Sequence, residues 1–182
     1  MIPFLVGVGI FKLVMTIISS ELVEDERFGR RSLLLIGNTI VTASLIALAA
    51  VYYFAGPEGP NQTAVIGCIL AFVSGYQVGF GPMTWLILSE IFPLRIRSAA
   101  VSIGTLANFT SNLLVALLFE AERVSLGESA LFGQFALIAA AATLFTNSYV
   151  FETRGLSLED IEKKLKNVVD GDDGENDGGA YK

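Results

Sequence analysis

Neutral polar side chains and a single tryptophan lie inside long apolar runs of this sequence. Gln77, Gly81 and Trp85 follow one another at intervals of four residues, which places an amide, a gap and an indole on one face of a helix. An aromatic ring beside a neutral hydrogen-bonding group suits a sugar, because a sugar ring has apolar C–H faces and hydroxyl edges. A tryptophan packed in a tight helix interface fits the same spacing equally well.

A second apolar run carries two amides, Asn108 and Asn112, also four residues apart. They would either hydrogen-bond a neighbouring helix or face a polar substrate. Neutral amides favour an uncharged, hydroxyl-rich ligand over a cation. Lys12 lies near the middle of the first run, where an ammonium group is costly, so we expect it to face a cavity. There it would donate to a sugar hydroxyl or hold a carboxylate from a helix outside this chain.

Charged side chains gather where apolar runs end. Glu26, Arg30 and Arg31 precede one run, while Glu90 and Arg97 bracket the end of another. A carboxylate at the membrane edge needs a guanidinium partner. A charge network that must break when one side of the protein opens would act as a gate.

Between these groups, Gly81 and Pro82 predict a break in a helix. Proline has no N–H, and its ring clashes with the carbonyl one turn earlier in a straight helix. Interrupted helices at membrane depth are tolerated against protein or a water-filled cavity. We therefore expect this segment to line a pathway.

The elements that hold these residues are membrane spans. The chain has 182 residues, 53% of them hydrophobic, and a mean hydropathy of +0.61. Five apolar runs predict transmembrane helices at about 2–21, 33–55, 64–90, 98–119 and 129–150. The predicted fold class is therefore all-α and multi-pass. With no histidine and only Cys68, the chain offers no soft-metal site and no Cys/His nucleophile pair, so we expect no enzyme, no metal and no cofactor.

The distribution of basic residues predicts the orientation in the membrane. The first and third connections and the segment after residue 151 are rich in arginine and lysine, whereas the second and fourth connections carry only Arg123. The positive-inside rule places the C-terminus in the cytosol. A short interfacial helix is predicted over 152–168, because Ser157 and Asp160 form a capping box. Residues 169–182 are too polar and glycine-rich to order themselves.

Three motifs resemble one family in order and spacing. They are ERFGRRSLLLIG at 26–37, GPMTWLILSEIFPLRIR at 81–97 and FETRGLSLEDIE at 151–162. Together they are similar to the sugar porter family of the major facilitator superfamily, in its helices eight to twelve. Residues 1–151 would then form part of the six-helix C-terminal domain. Within the family, the chain is most similar to plant vacuolar-type glucose transporters and to D-xylose-proton symporter-like proteins.

The resemblance also implies roles for individual residues. Tyr76, Gln77, Trp85 and Asn108 would lie at or near sugar-contacting positions, and Lys12 would occupy a cavity position that is often Asn. Arg30, Arg31, Glu90, Arg97 and Glu152 would belong to a cytosolic charge clamp. The segment before Gly29 is about two residues longer than usual in the family, so Glu24 and Asp25 compete with Glu26 for the acidic role in that clamp.

The resulting functional prediction is transport of a glucose- or xylose-type monosaccharide by alternating access, with this chain as a fragment of the transporter. Its partners would be the sugar, the lipid bilayer and the N-terminal half of the same transporter, with no nucleic acid. Two alternatives stay open: a half-transporter that acts as an interaction partner or sugar sensor, and a polyol porter. Proton coupling and the identity of the membrane are open too.

Overall fold

The chain folds into six α-helices, as seen in a computed structural model that describes residues 2–24, 29–56, 59–92, 94–153, 155 and 160–161. The helices are α1 (Ile2–Glu24), α2 (Arg30–Tyr53), α3 (Gln62–Val78), α4 (Phe80–Ile91), α5 (Arg97–Leu126) and α6 (Glu128–Tyr149). Every regular element in these ranges is helical, since a backbone in lipid must satisfy its polar groups within the segment.

Five stretches are long and apolar enough to cross a membrane. Four of them correspond to α1, α2, α5 and α6, and the fifth, Gln62–Ile91, contains both α3 and α4. The predicted all-α, multi-pass fold class with five spans is confirmed. The chain is therefore an integral membrane protein whose third span is interrupted.

The best-buried part of the bundle centres on α2. Its residues Leu33 and Leu34 form one apolar cluster with Val78, Met83 and Ile87 of the third span. Its residues Val41 and Leu45 form a second cluster with Ala136 of α6. In contrast, no residue of α5 is buried. The structure thus holds a tight core of α2, α3, α4 and α6, with α5 at its edge.

Three glycines let α2 and the third span approach closely. A Cβ added to Gly37 would lie 2.5 Å from Cα of Gly79, and a Cβ added to Gly75 would lie 2.8 Å from the carbonyl oxygen of Gly37. Both distances are too short for real atoms, so only glycine fits at this crossing. Small residues are the usual means by which membrane helices bring their backbones together.

The break in the third span lies at Gly79, which corrects the predicted position at Gly81 and Pro82. Gly79 ends α3 and precedes α4 with φ −100° and ψ −91°. Pro82 lies in the first turn of α4, where the backbone N–H groups have no helical partner in any case. Proline is therefore compatible with the start of α4, and the distortion falls on the glycine upstream.

The helix α5 continues beyond the predicted end of its span at residue 119. Its last turns are polar and are supported by side-chain contacts: Arg123 pairs with Glu120 at 2.7 Å, and Gln134 of α6 donates to Glu122 at 3.2 Å. Gly127 then ends the helix with φ +80°, a conformation that glycine adopts at little cost. The charge-free run therefore marks the apolar part of α5 and not its full length.

The chain leaves the helical conformation after α6, at Val150. Glu152 and Thr153 are not helical, so a helix does not begin at residue 152 as predicted, whereas Asp160 and Ile161 are helical. The rest of the predicted interfacial helix and the predicted tail at 169–182 lie outside the described residues. Thr153 and Ile161 are both buried, which shows that this segment packs against the bundle.

Candidate functional site

Glu152 caps the N-terminus of α2. Its carboxylate accepts the backbone N–H of Arg30 at 2.8 Å and that of Arg31 at 3.1 Å. The residue at the usual capping position, Gly29, has no side chain to do this, and a Cβ there would lie 1.9 Å from Oε2 of Glu152. A negative charge at a helix N-terminus is stabilising because the free N–H groups carry partial positive charge. The carboxylate therefore takes the place of a local cap.

Glu90, at the end of α4, joins the same cluster. Nε of Arg30 donates to Oε1 of Glu90 at 3.1 Å, and Oγ1 of Thr153 donates to Oε2 of Glu90 at 2.6 Å. The side chains of Arg30 and Glu90 are 22% and 24% exposed, so their ion pair is shielded from water. We call Arg30, Arg31, Glu90, Glu152 and Thr153 the charge clamp. It ties together α2, α4 and the segment after α6.

The side chains of two arginines also donate to backbone carbonyl groups. Nη2 of Arg31 donates to the carbonyl oxygen of Asn147 at 2.7 Å, which adds α6 to the clamp. Nε of Arg97 donates to the carbonyl oxygen of Phe92 at 3.1 Å, within the turn between α4 and α5. The structure thus pairs Glu90 with Arg30, and Arg97 supports the turn. Glu26 and Asp25, two candidates for the acidic role, lie outside the described residues.

At the other end of the predicted site, Gln77 contacts α1 directly. Its amide donates to the hydroxyl of Thr16, which in turn donates to the carbonyl oxygen of Lys12 at 2.9 Å. Lys12 itself is exposed on α1, one turn before Thr16. The bond between Gln77 and Thr16 connects the first and third spans just before the break at Gly79.

Trp85 and Asn108 lie at a similar depth in the bundle. The helices α4 and α5 touch where a Cβ on Gly104 would lie 2.8 Å from Cδ2 of Leu88. Since the two spans cross the membrane in succession, they run in opposite directions. Trp85 precedes Leu88 by about 4.5 Å of helix rise, and Asn108 follows Gly104 by about 6 Å, on the same side of the contact.

Most of the predicted sugar-binding side chains are exposed in the structure. Trp85 and Tyr76 are 43% and 44% exposed. Asn112 is also exposed, and its amide donates to the carbonyl oxygen of Asn108 one turn earlier at 3.0 Å. An indole, a phenol and two amides are therefore outside the buried core. A purely structural packing role would require them to be buried.

Sequence reasoning missed several residues of this site. Thr153 and Gly29 belong to motifs that were recognised, yet their contacts with Glu90 and Glu152 join segments far apart in the chain. Thr16, the partner of Gln77, is one of many hydroxyl residues in apolar runs, and nothing in its spacing marks it. The one available signal was Gly29, because a glycine directly before two arginines leaves a helix start without its own cap.

Comparison with known proteins identifies the family of this chain. The family described as "Sugar (and other) transporter" matches residues 4–165. The D-xylose-proton symporter-like 3 protein of Arabidopsis thaliana, described as chloroplastic, is 42% identical over 158 residues, which are 87% of this chain and 27% of that protein. The facilitated trehalose transporter Tret1 of Anopheles gambiae is 33% identical over 166 residues, or 89% of this chain and 21% of that protein.

Solved structures give the same result. The inward-open conformation of the xylose transporter XylE from E. coli superimposes on this chain with a TM-score of 0.75 at 27% identity. The match covers 86% of this chain and 34% of the XylE chain. This chain spans about a third or less of the length of these relatives. With the family matched over nearly all described helices, the chain belongs to the sugar porter family of the major facilitator superfamily.

Proposed function

We propose that this chain supplies C-terminal helices of a transporter that carries a glucose- or xylose-type monosaccharide across a membrane by alternating access. The observation that carries this proposal is the interrupted third span. One element holds Gln77 before the break, Trp85 after it and Glu90 at its end, where Glu90 enters the charge clamp. A change in sugar contacts on this span can therefore be transmitted to the clamp.

The chemistry of the exposed polar side chains favours a neutral sugar. Gln77, Asn108 and Asn112 offer donors and acceptors without charge, and Trp85 and Tyr76 offer ring faces. The relatives named as xylose or trehalose transporters support the same substrate class. Lys12 is the one charged group proposed here for the cavity, where its ammonium would donate to a sugar hydroxyl.

The remaining parts of the transporter follow from the same proposal. Alternating access moves one domain against another around a shared central site, so the proposed partner is the N-terminal half of the transporter. The clamp end of the bundle would face the cytosol, together with the C-terminus, because its connections carry the arginines and lysines. We assign no cofactor and no catalytic residue to this chain. If the transporter is coupled to protons, its sugar uptake would depend on the external pH.

A chimera tests this function. The N-terminal region of the Arabidopsis D-xylose-proton symporter-like 3 protein, up to the point where the match begins, is joined to this chain and expressed in cells that lack sugar uptake. We expect saturable uptake of labelled D-xylose that unlabelled D-glucose competes for. Competition by myo-inositol alone would indicate a polyol porter, and a chimera that inserts in the membrane without uptake would contradict the proposal.

A further inference from the structure

A cleft with a few polar groups lies between α1 and the third span, on the side of Gln77 that faces the charge clamp. Its volume is about 470 Å³. The α1 side contributes hydroxyl groups and the carboxylate of Glu24, and the α4 side contributes a largely apolar wall. The lining residues include Thr16, Ser19, Ser20, Glu24, Pro82 and Leu86. None of these residues belongs to the clamp, and the cleft adjoins the candidate sugar-contacting residues, because Gln77 and Gly81 lie on the helix face that also carries Trp85.

The hydroxyl of Ser19 marks this cleft as a binding site. Ser19 is 3% exposed, and its Oγ has no hydrogen-bond partner among the described residues. Many other helical hydroxyls in this chain bond to the carbonyl one turn earlier, for example Thr42, Ser44 and Ser102. A buried hydroxyl without a partner is unfavourable, so a group that occupies the cleft and bonds to Ser19 would be stabilised.

The contacts available in the cleft define the class of ligand. Ser19 and Ser20 can each donate and accept a hydrogen bond, and the amide of Gln77 lies at the end of the cleft. Leu86 and Met83 provide apolar contact, Glu24 adds a carboxylate, and neither lysine nor arginine is among the lining residues. This combination suits a neutral ring with several hydroxyl groups, because the carboxylate accepts hydrogen bonds from hydroxyls and repels an anion.

We propose that the cleft is a second monosaccharide subsite, at which the sugar rests between the central site and the clamp. This subsite depends on the proposed transport function. The hydrogen bond between Gln77 and Thr16 closes the end of the cleft that is nearest to Lys12. A sugar that leaves the centre would break this bond, enter the cleft and bond to Ser19. The two sites are thus separated by one side-chain contact.

The chain itself provides two clean reporters for a test. Trp85 is its only tryptophan and Cys68 its only cysteine. In the Cys68→Ser background, Ser19→Cys introduces one thiol into the cleft, and Ser98→Cys introduces one at an exposed position outside it. Each variant of the full chain is placed in lipid nanodiscs. The measurements are Trp85 fluorescence and the rate of thiol modification by a small methanethiosulfonate, with D-xylose and with L-xylose as control.

The D-xylose concentration is set to about ten times the value that gives half of the Trp85 fluorescence change. At this concentration, a sugar bound in the cleft should slow the modification of Ser19→Cys about tenfold and leave the modification rate of Ser98→Cys unchanged. A Trp85 response without protection at position 19 would overturn the subsite and leave the proposed function standing. Neither response would overturn the subsite, and uptake by the chimera would then decide the proposed function separately. Protection without a Trp85 response would support the subsite and count against the role of Trp85. Ser20→Cys serves as the second variant if Ser19→Cys does not give a monodisperse protein.

Discussion

The carboxylate of Glu152 lies over the first turn of α2 and accepts the backbone N–H of Arg30 at 2.8 Å. This contact spans 122 residues of sequence and places the segment after the last span against the start of the second. It also explains why the residue before Arg30 is glycine, since any side chain there would displace the carboxylate. A helix cap supplied from a distance therefore helps to fix the conformation at the clamp end.

Removal of this cap should destabilise the bundle. We expect Glu152→Ala to cost about 1 kcal/mol, the usual value for a lost helix cap. Gly29→Ala should cost a similar amount because the added Cβ pushes Glu152 away, and the double variant should be no worse than the more severe single variant. The measurement is the midpoint of heat-induced loss of the monodisperse peak in detergent. Gly67→Ala is the control, since no atom lies within 4 Å of its added Cβ. Fully additive effects would contradict the shared mechanism.

The pair of Glu90 and Arg30 should control the equilibrium between conformations. Glu90→Gln removes the ion pair but can keep the hydrogen bond from Thr153. If the pair contributes about 1 kcal/mol to the closed clamp, its loss shifts the population about fivefold toward states open at the clamp end. In the chimera, a cysteine at position 98 should then react faster with a water-soluble thiol reagent. Arg97→Gln is the matched control, because Arg97 contacts a backbone carbonyl and not Glu90. Equal rates in Glu90→Gln and the parent would rule out this role.

The sequence predicted the spans better than the contacts. Charge-free runs located the helices because hydrocarbon excludes charge over a length that helix geometry fixes. The break was expected at Pro82, but the distortion lies at Gly79, since proline fits the first turn of the following helix. Arg30, and not Arg97, pairs with Glu90, and only the packing of α2 against α4 decides between them. Contacts of this kind join distant segments and leave no local pattern.

The glycine crossing should tolerate no added atom. A Cβ on Gly37 would meet backbone atoms of Gly75 and Gly79, which cannot rotate away as a side chain can. We expect Gly37→Ala to cost about 1–3 kcal/mol through overpacking. The fraction of monodisperse protein after extraction measures this effect. Gly7→Ala, in the open part of α1, provides the control, because no atom lies within 4 Å of its added Cβ. A Gly37→Ala protein as stable as the control would show that the crossing is looser than described.

The exposed indole of Trp85 and amide of Asn108, which lie at a similar depth in the bundle, should both contact the sugar. Asn108→Ala removes an amide from an exposed position and should change the free energy of unfolding by no more than about 0.5 kcal/mol. Its half-maximal D-xylose concentration in the uptake assay should rise about tenfold, as expected for a lost hydrogen bond to a polar ligand. Ser125→Ala is the comparison variant, because Ser125 is exposed at the far end of α5 and bonds only to a carbonyl of its own helix, so no effect on sugar affinity is expected. A fall in stability without a change in affinity would assign Asn108 to packing.

The most direct measurement is D-xylose counterflow in proteoliposomes that contain the chimera, compared with its Trp85→Ala variant. Counterflow reports sugar binding and exchange without a requirement for a proton gradient. We expect the chimera to accumulate labelled D-xylose transiently, and the Trp85→Ala variant to lose most of this signal while its thermal midpoint stays the same. Full counterflow in Trp85→Ala, or none in a correctly inserted chimera, would contradict the assignment of this chain to the sugar-binding part of a transporter.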